Sequence, residues 1–313
     1  MATARVHVGV DVSKENLDVY MPGGKTVRTG NTVSAVRRLV RGVKAKDPSA
    51  MFCCESTGGY ERTLVDVCRE EGQPVCVMNA LQCRRYAEHR GMLEKTDRID
   101  ARVISMAADD KNPAALIHPG GRQRKLKEMW TLRTHLASQR DGERNRLEHL
   151  HEKEAVAAVK RIIASYERQI ERLEKLCRDE VSQEEKSQTL LDRFQIVKGV
   201  GPLTALALVA LLPELLFLDD KRLSKLAGVA PICDQSGTLD GPRHIMKGRG
   251  LVRRALYWAA VSASQHNKIL AAFYNRLVEG GKAKKVALVA VMRKLLCLVR
   301  RIAQNPEFVP AEG

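Results

Sequence analysis

Val6-His7-Val8-Gly9-Val10-Asp11 decides how the first third of the chain is read. Val6, Val8 and Val10 alternate with His7, Gly9 and Asp11, the period-two pattern of a β-strand with two faces. Gly9 shares its face with Asp11 and, lacking a side chain, leaves open space beside the carboxylate. Leu17-Asp18-Val19-Tyr20 reads as a second strand after a turn at Ser13-Lys14-Glu15-Asn16. A strand carboxylate with a cleared neighbour can hold a metal ion. On these residues alone it can equally end the strand in a turn.

Working outward, helices are expected over 34–44 and 60–70, strands over 50–54 and 74–78, and helical segments over 81–89 and 98–108. This order predicts a mixed sheet covered by helices, an α/β domain over residues 1–112. Pro113, Pro119, Gly120 and Gly121 mark its boundary. In the following stretch, Val156, Val159, Ile163, Tyr166, Ile170, Leu173 and Cys177 recur at alternating spacings of three and four. That is the apolar seam of a helix, about 33 Å long at about 1.5 Å per residue. It predicts a helical coiled-coil arm over 120–187 that self-associates or links domains; a helix packed on its own chain is the other reading. Residues 190–313 read as a compact, mainly α domain. In it Lys198-Gly199-Val200-Gly201 has the form of a helix-hairpin-helix whose backbone N–H groups can hold a phosphate. An ordinary connection between two helices fits the same residues. Further helices are expected over 219–230, 252–265 and 283–303, with a polar loop over 232–250.

The 313 residues hold 53 Lys and Arg against 37 Asp and Glu, a net charge of +16. Such a balance favours a polyanionic partner. Residues 186–313 carry 20 of the cations and 9 of the acids, so the main electrostatic footprint lies there. Aromatic residues, at 4%, argue against base stacking as the main binding device. No run of about 20 apolar residues is present and the N-terminus has no signal-peptide pattern, so no membrane partner is expected. None of the eight cysteines forms C-x-x-C, which disfavours zinc and suits reduced, buried thiols in a cytoplasm.

Glu55 ends the strand Met51-Phe52-Cys53-Cys54 and precedes Ser56-Thr57-Gly58-Gly59. It stands at a strand's C-terminal end, where α/β sheets commonly place their sites. Asp97 and Asp100 stand three apart in Lys95-Thr96-Asp97-Arg98-Ile99-Asp100-Ala101-Arg102, on one face of a helix. They also suit a plain helix start, with Asp97 as cap. Together Asp11, Glu55, Asp97 and Asp100 form a set able to hold Mg²⁺ or Mn²⁺. Two such ions, about 3.5–4 Å apart, can drive phosphodiester cleavage. Ser236 lies in the polar stretch Asp234-Gln235-Ser236-Gly237-Thr238, where a serine is ordinarily a turn residue. The basic run that follows, Arg243, His244, Lys247, Arg249, Arg253 and Arg254, suits phosphate.

The chain resembles the insertion sequence 110 family of DEDD transposases, which includes site-specific DNA invertases. The resemblance covers nearly the whole chain. It rests on Val8-Gly9-Val10-Asp11, Cys54-Glu55-Ser56-Thr57-Gly58-Gly59-Tyr60 and Lys95-Thr96-Asp97-Arg98-Ile99-Asp100-Ala101. Gly199-Val200-Gly201, Ala227-Gly228-Val229-Ala230-Pro231, Ser236-Gly237 and Lys247-Gly248 followed by Arg253-Arg254-Ala255-Leu256 complete it. It implies an RNase H-like, RuvC-like N-terminal domain, a coiled-coil arm and a C-terminal transposase domain. It implies metal-ligand roles for Asp11, Glu55, Asp97 and Asp100, and a nucleophilic role for Ser236. It further implies donor and target DNA as substrates, a bridge RNA as guide, a dimer assembling to a tetramer, and a bacterial cytoplasm. Cys53-Cys54 and Cys233 stand as minor departures from the family pattern.

Other readings compete. A RuvC-like junction nuclease would hydrolyse DNA with the four acids and leave Ser236 idle. An actin-like kinase or ATPase shares the first strand, yet residues 111–313 show no second phosphate loop. A non-catalytic RNA- or DNA-binding scaffold would explain the charge and leave the acids without purpose.

Overall fold

The computed structural model of the chain describes residues 5–92, 97–115, 121–232, 235–236, 239–240 and 244–310, and at 97–99, 235–236 and 239–240 the backbone alone. Lys95, Thr96, Cys233, Gly237 and Arg243 lie outside the described residues. The chain divides into two compact units, residues 1–118 and 119–313.

In the first unit, β1 (His7–Val12), β2 (Asn16–Tyr20) and β3 (Val27–Gly30) form an antiparallel meander. The chain then crosses through α1 (Val33–Lys46) to β4 (Met51–Glu55), and through α2 (Arg62–Glu70) to β5 (Val75–Met78). Both later strands run parallel to β1, giving the sheet order β3-β2-β1-β4-β5. Helices α3 (Ala80–His89) and α4 (Asp97–Lys111) complete the unit. This mixed sheet fits an RNase H-like domain. Val8, Val10 and Val12 point into one core with Val36, Val40 and Leu64 of α1 and α2. Met51, Cys53, Cys76 and Met78 face the other way, onto Cys83 of α3 and Ile104 and Ala108 of α4. A sheet covered on both sides explains why β4 reads as an unbroken apolar run.

The second unit begins with α5 (Gly121–Leu147) and α6 (Lys153–Ser182). They are followed by α7 (Glu185–Gln195), α8 (Pro202–Leu211), a 3-10 turn at Pro213–Leu216 and α9 (Asp220–Ala227). Four two-residue strands come next: β6 (Pro231–Ile232), β7 (Gln235–Ser236), β8 (Leu239–Asp240) and β9 (His244–Ile245). The unit closes with α10 (Gly250–His266), α11 (Lys268–Glu279) and α12 (Lys284–Gln304). The expected helices are present; α11 and the short strands within 231–245 are additions. α8 is buried along most of its length among α5, α7 and α10, and α12 packs on α10, with Leu256, Ala260, Val291 and Leu295 in the shared core.

The seam of α6 is taken up inside the chain. Val159, Ile170 and Cys177 are buried, and α6 packs along α5. Cross-links at Arg122–Glu180 (3.1 Å), Arg133–Glu174 (2.5 Å) and Arg144–Glu167 (2.6 Å) run in antiparallel order. Leu126, Trp130, Cys177 and Val181 root this hairpin in the C-terminal core. Hydrogen bonding from Lys125, against the opposing effect of burial, holds the Glu180 carboxyl below its usual range. That contribution is present at neutral pH and is lost as pH falls through the lowered value. The exposed Arg144–Glu167 pair is worth at most about 1 kcal/mol, whereas Arg133–Glu174 and Glu180 are partly shielded and lie beside the apolar seam. Among the described residues no helix is long and apolar enough to cross a membrane.

Ile170→Ala should therefore cost about 2–5 kcal/mol of unfolding free energy. Glu167→Gln, which removes an exposed pair, should cost less than about 1 kcal/mol. Urea unfolding followed by circular dichroism measures both, and equal losses would mean that charge rather than the seam holds the hairpin.

Candidate catalytic acids and the serine hairpin

Within the first unit, three elements bring acids toward the C-terminal ends of the central strands β1 and β4. Asp11 stands one step beyond the Val10–Cys54 register pair, level with Glu55 on the neighbouring parallel strand. Residues in register on parallel strands share a face, and this face is the one α4 covers. α4 begins at Asp97, and its first turn carries Asp100.

The space beside Gly9 is not open, contrary to the reading of the sequence. A Cβ there would lie 2.0 Å from the Ala101 carbonyl oxygen and 2.7 Å from the Ser105 nitrogen. Gly9 is thus the point at which the α4 backbone lies on β1. That approach sets Asp100, one residue before Ala101, against the strand that carries Asp11.

The other end of α4 is fastened to the same strand. The buried His7 ring pairs through Nδ1 with Asp109 at 2.7 Å. A carboxylate only accepts, so Nδ1 carries the proton. Ser105 Oγ donates to the His7 carbonyl at 2.7 Å. His7, Gly9 and Asp11 therefore occupy successive positions on one strand face: a bond, a close approach and a candidate ligand.

Two further groups escaped the reading of the sequence. Asp18 lies opposite Asp11 in the β1–β2 register, is buried, and accepts from Arg28 Nε at both oxygens (3.1 Å each) and from Nη2 (2.7 Å). The guanidinium balances a second acid beside Asp11. The matching positions of Asp11 and Asp18 in the hairpin were the only signal for it. On α3, the Cys83 thiol is pushed up to about 12, chiefly by burial and then by the charge of Glu55, to which it hydrogen-bonds. Cys83 thus remains a thiol and can orient Glu55. The turn after Glu55 is closed by Glu61, whose carboxylate accepts from Thr57 Oγ1 (2.7 Å) and Gly59 N (2.9 Å).

All four expected acids lie in the first unit. Asp97 is placed by its backbone only. Among the described residues no three His, Cys, Asp or Glu side chains are gathered tightly enough to form a ready metal cage. Oxygen donors on two strands and one helix nevertheless suit a hard divalent cation.

In the second unit, β6 pairs with β9 and β7 pairs with β8. These nested antiparallel pairs place Ser236, partnered with Leu239, within a hairpin instead of an irregular loop. The hairpin's base is held by two glycines set against each other. Gly228 (φ +72°) caps α9, and Gly248 (φ +73°) precedes α10. A Cβ on either would come within 2.4 Å of backbone of the opposing loop. No other residue fits such contacts at positive φ.

The basic residues divide by use. Arg249, expected to hold phosphate, is tied to Glu214 (2.5 Å) and to the Leu211 carbonyl (2.8 Å). Arg253 donates to the Lys247 carbonyl at 2.7 Å. Lys198, Lys247 and Arg254 are exposed. Gly199 is turned inward, since a Cβ there would strike Ala263 of α10 at 2.5 Å. Gly201 stands clear at the α8 N-terminus, with Pro202 as the first helical residue.

Comparison with known proteins follows the same division. Residues 8–152 match a DEDD-type IS110 family model described as a transposase. Residues 191–275 match one described as "Transposase IS116/IS110/IS902 family". The chain is 25% identical to the pilin gene-inverting proteins of Moraxella bovis and Moraxella lacunata, over 97% of its own length and 98% of theirs. Among solved structures, Thermus thermophilus RuvC with a Holliday junction substrate aligns at 14% identity and a TM-score of 0.30. That alignment covers 36% of this chain and 99% of RuvC.

Two glycine substitutions separate close approach from open space. Gly9→Ala should destabilise the protein by about 1–3 kcal/mol or more, because the α4 backbone must move. Gly142→Ala, mid-helix on α5 with nothing within 4 Å of the added carbon, should stabilise it by about 0.5–1 kcal/mol. Denaturant titration reads both, and a neutral Gly9→Ala would remove the argument that α4 is seated there.

Proposed function

The chain belongs to the insertion sequence 110 family of DEDD transposases, and from that membership we propose that it is a DNA recombinase that cuts and rejoins donor and target DNA. The observation that carries this reading is the level placement of Asp11 and Glu55 on adjacent strands, with Asp100 immediately before the Ala101–Ser105 turn of α4 that is seated over Gly9. Relatives named for gene inversion, matched over almost their whole length, support conservative rejoining over simple hydrolysis.

Asp11, Glu55, Asp97 and Asp100 would hold Mg²⁺ or Mn²⁺, which when bound stabilises charge on the scissile phosphate. Ser236 Oγ attacks the phosphorus, a P–O bond of the strand breaks, and the departing DNA hydroxyl takes up a proton. The serine phosphodiester keeps the energy of the broken bond. A hydroxyl from the partner strand then displaces serine, which regains its proton, and the exchange is balanced without an external energy source. Cys83 and the His7–Asp109 bond act as positioning groups for Glu55 and for α4.

The finer parts of the proposal rest on family membership and charge. They are guidance by a bridge RNA, assembly of a dimer into a tetramer, and completion of the site by acids and serine from different protomers. The 20 Lys and Arg of residues 186–313 support a nucleic-acid partner for the second unit.

Asp11→Asn or Asp100→Asn should reduce Mg²⁺-dependent cleavage by at least about a hundredfold while leaving DNA binding largely intact. Full cleavage by metal-stripped protein in chelator would overturn the metal role. Ser236→Ala should bind DNA and fail to exchange strands. With a nicked target, parent protein should carry a nucleotide on the Ser236 peptide by mass spectrometry. Normal recombination by Ser236→Ala protein would leave the hydrolytic nuclease reading in place.

A further inference from the structure

The last three helices line a groove of about 1530 Å³ that takes in His244, Arg253 and Arg254 of the basic run and extends well beyond them. Phe273, Leu277, Val289 and Leu298 form an apolar floor. Arg254, Lys282, Lys285, Arg293, Lys294 and Arg301 line it with positive charge. Residues 280–304 contain seven Lys or Arg and no Asp or Glu. Asp220, the groove's acid, is paired with Arg300 at 2.5 Å. Among the described residues no carboxylate pairs with any of these six cations; Arg253, a seventh lining cation, donates to the Lys247 carbonyl.

An exposed tryptophan stands beside the groove, next to one of its lining residues. Tyr257 lines it, and the Trp258 ring stands edge-on to Tyr257 with centroids 5.6 Å apart. Trp258 is 65% exposed, whereas Trp130, the chain's other tryptophan, is 5% exposed in the core. Pro231, His244 and Ile245, the base of the Ser236 hairpin, also line the groove.

A duplex presents phosphates outward and buries its bases, so it would leave the apolar floor and Trp258 without partners. An unpaired strand offers both surfaces at once: phosphates for the cations and base faces for apolar and aromatic side chains. We propose that this groove binds single-stranded DNA, the unpaired flank of the strand whose phosphate meets Ser236. The commitment to DNA rests on the reading that Ser236 acts on DNA, because the hairpin base opens onto the groove.

The test uses full-length protein in chelator, so that binding is read without cleavage. Trp258 emission, taken as the difference between parent and Trp258→Phe protein, is followed while oligothymidylate of about 12 nucleotides is added. Emission should be quenched. Trp258→Ala should raise Kd at least about fivefold. Lys285→Gln combined with Arg293→Gln should raise it about tenfold and flatten the salt dependence. A duplex or an oligouridylate of equal length should bind at least about tenfold more weakly. The proposal falls if oligothymidylate leaves Trp258 emission unchanged, if duplex or RNA binds as well, or if the charge-removed protein binds like the parent. The Ser236 adduct is scored separately. An adduct without oligothymidylate binding overturns the groove alone; binding without an adduct keeps the groove as a DNA site and overturns the serine chemistry.

Discussion

The seating of α4 against β1 is the contact on which the first unit depends. At Gly9 a single methyl group would collide with the helix backbone. Close packing of this kind costs no polar group, and it converts helix position into side-chain position: Asp100 follows wherever Ala101 is held. The His7–Asp109 and Ser105–His7 bonds fasten the same helix farther along. β1 therefore carries one candidate ligand and determines the placement of another.

The second unit uses the same device at a different place. Gly228 and Gly248 let two loops meet backbone to backbone, and the hairpin bearing Ser236 springs from that meeting. The motif segments around residues 228 and 248 look independent in the chain; their contact shows one structural task. Arg253, bonded to the Lys247 carbonyl, closes the arrangement from α10.

Net charge is divided between structure and surface. Arg133, Arg144 and Arg249 are spent on carboxylates within the fold. Arg254, Lys285 and Arg293 line a groove without such partners. A count of cations cannot separate the two groups, because pairing depends on where Glu174, Glu167 and Glu214 arrive in space. The phosphate role first given to Arg249 illustrates the point: its neighbours in sequence are basic, and its neighbour in space is Glu214.

Local periodicity determined much of the architecture from the chain alone. Alternation over 6–10 marked β1, the apolar run at 51–54 marked a strand, and the three-four spacing over 156–177 marked the buried side of α6. These signals survive because each reports which side of one element avoids water. The order of Asp11, Glu55, Asp97 and Asp100 likewise pointed to one group of acids, since the family's motifs are carried in sequence. Tertiary structure decided the partners. It showed that the α6 seam meets α5 of the same chain, that Gly9 is filled by a helix about ninety residues away, and that Asp18 and Cys83 stand beside the acids. Apart from the hairpin register that sets Asp18 opposite Asp11, none of these could be read locally, because apolar pairing is non-directional. A glycine, a buried aspartate or a seam acquires its meaning only from the distant segment that packs against it.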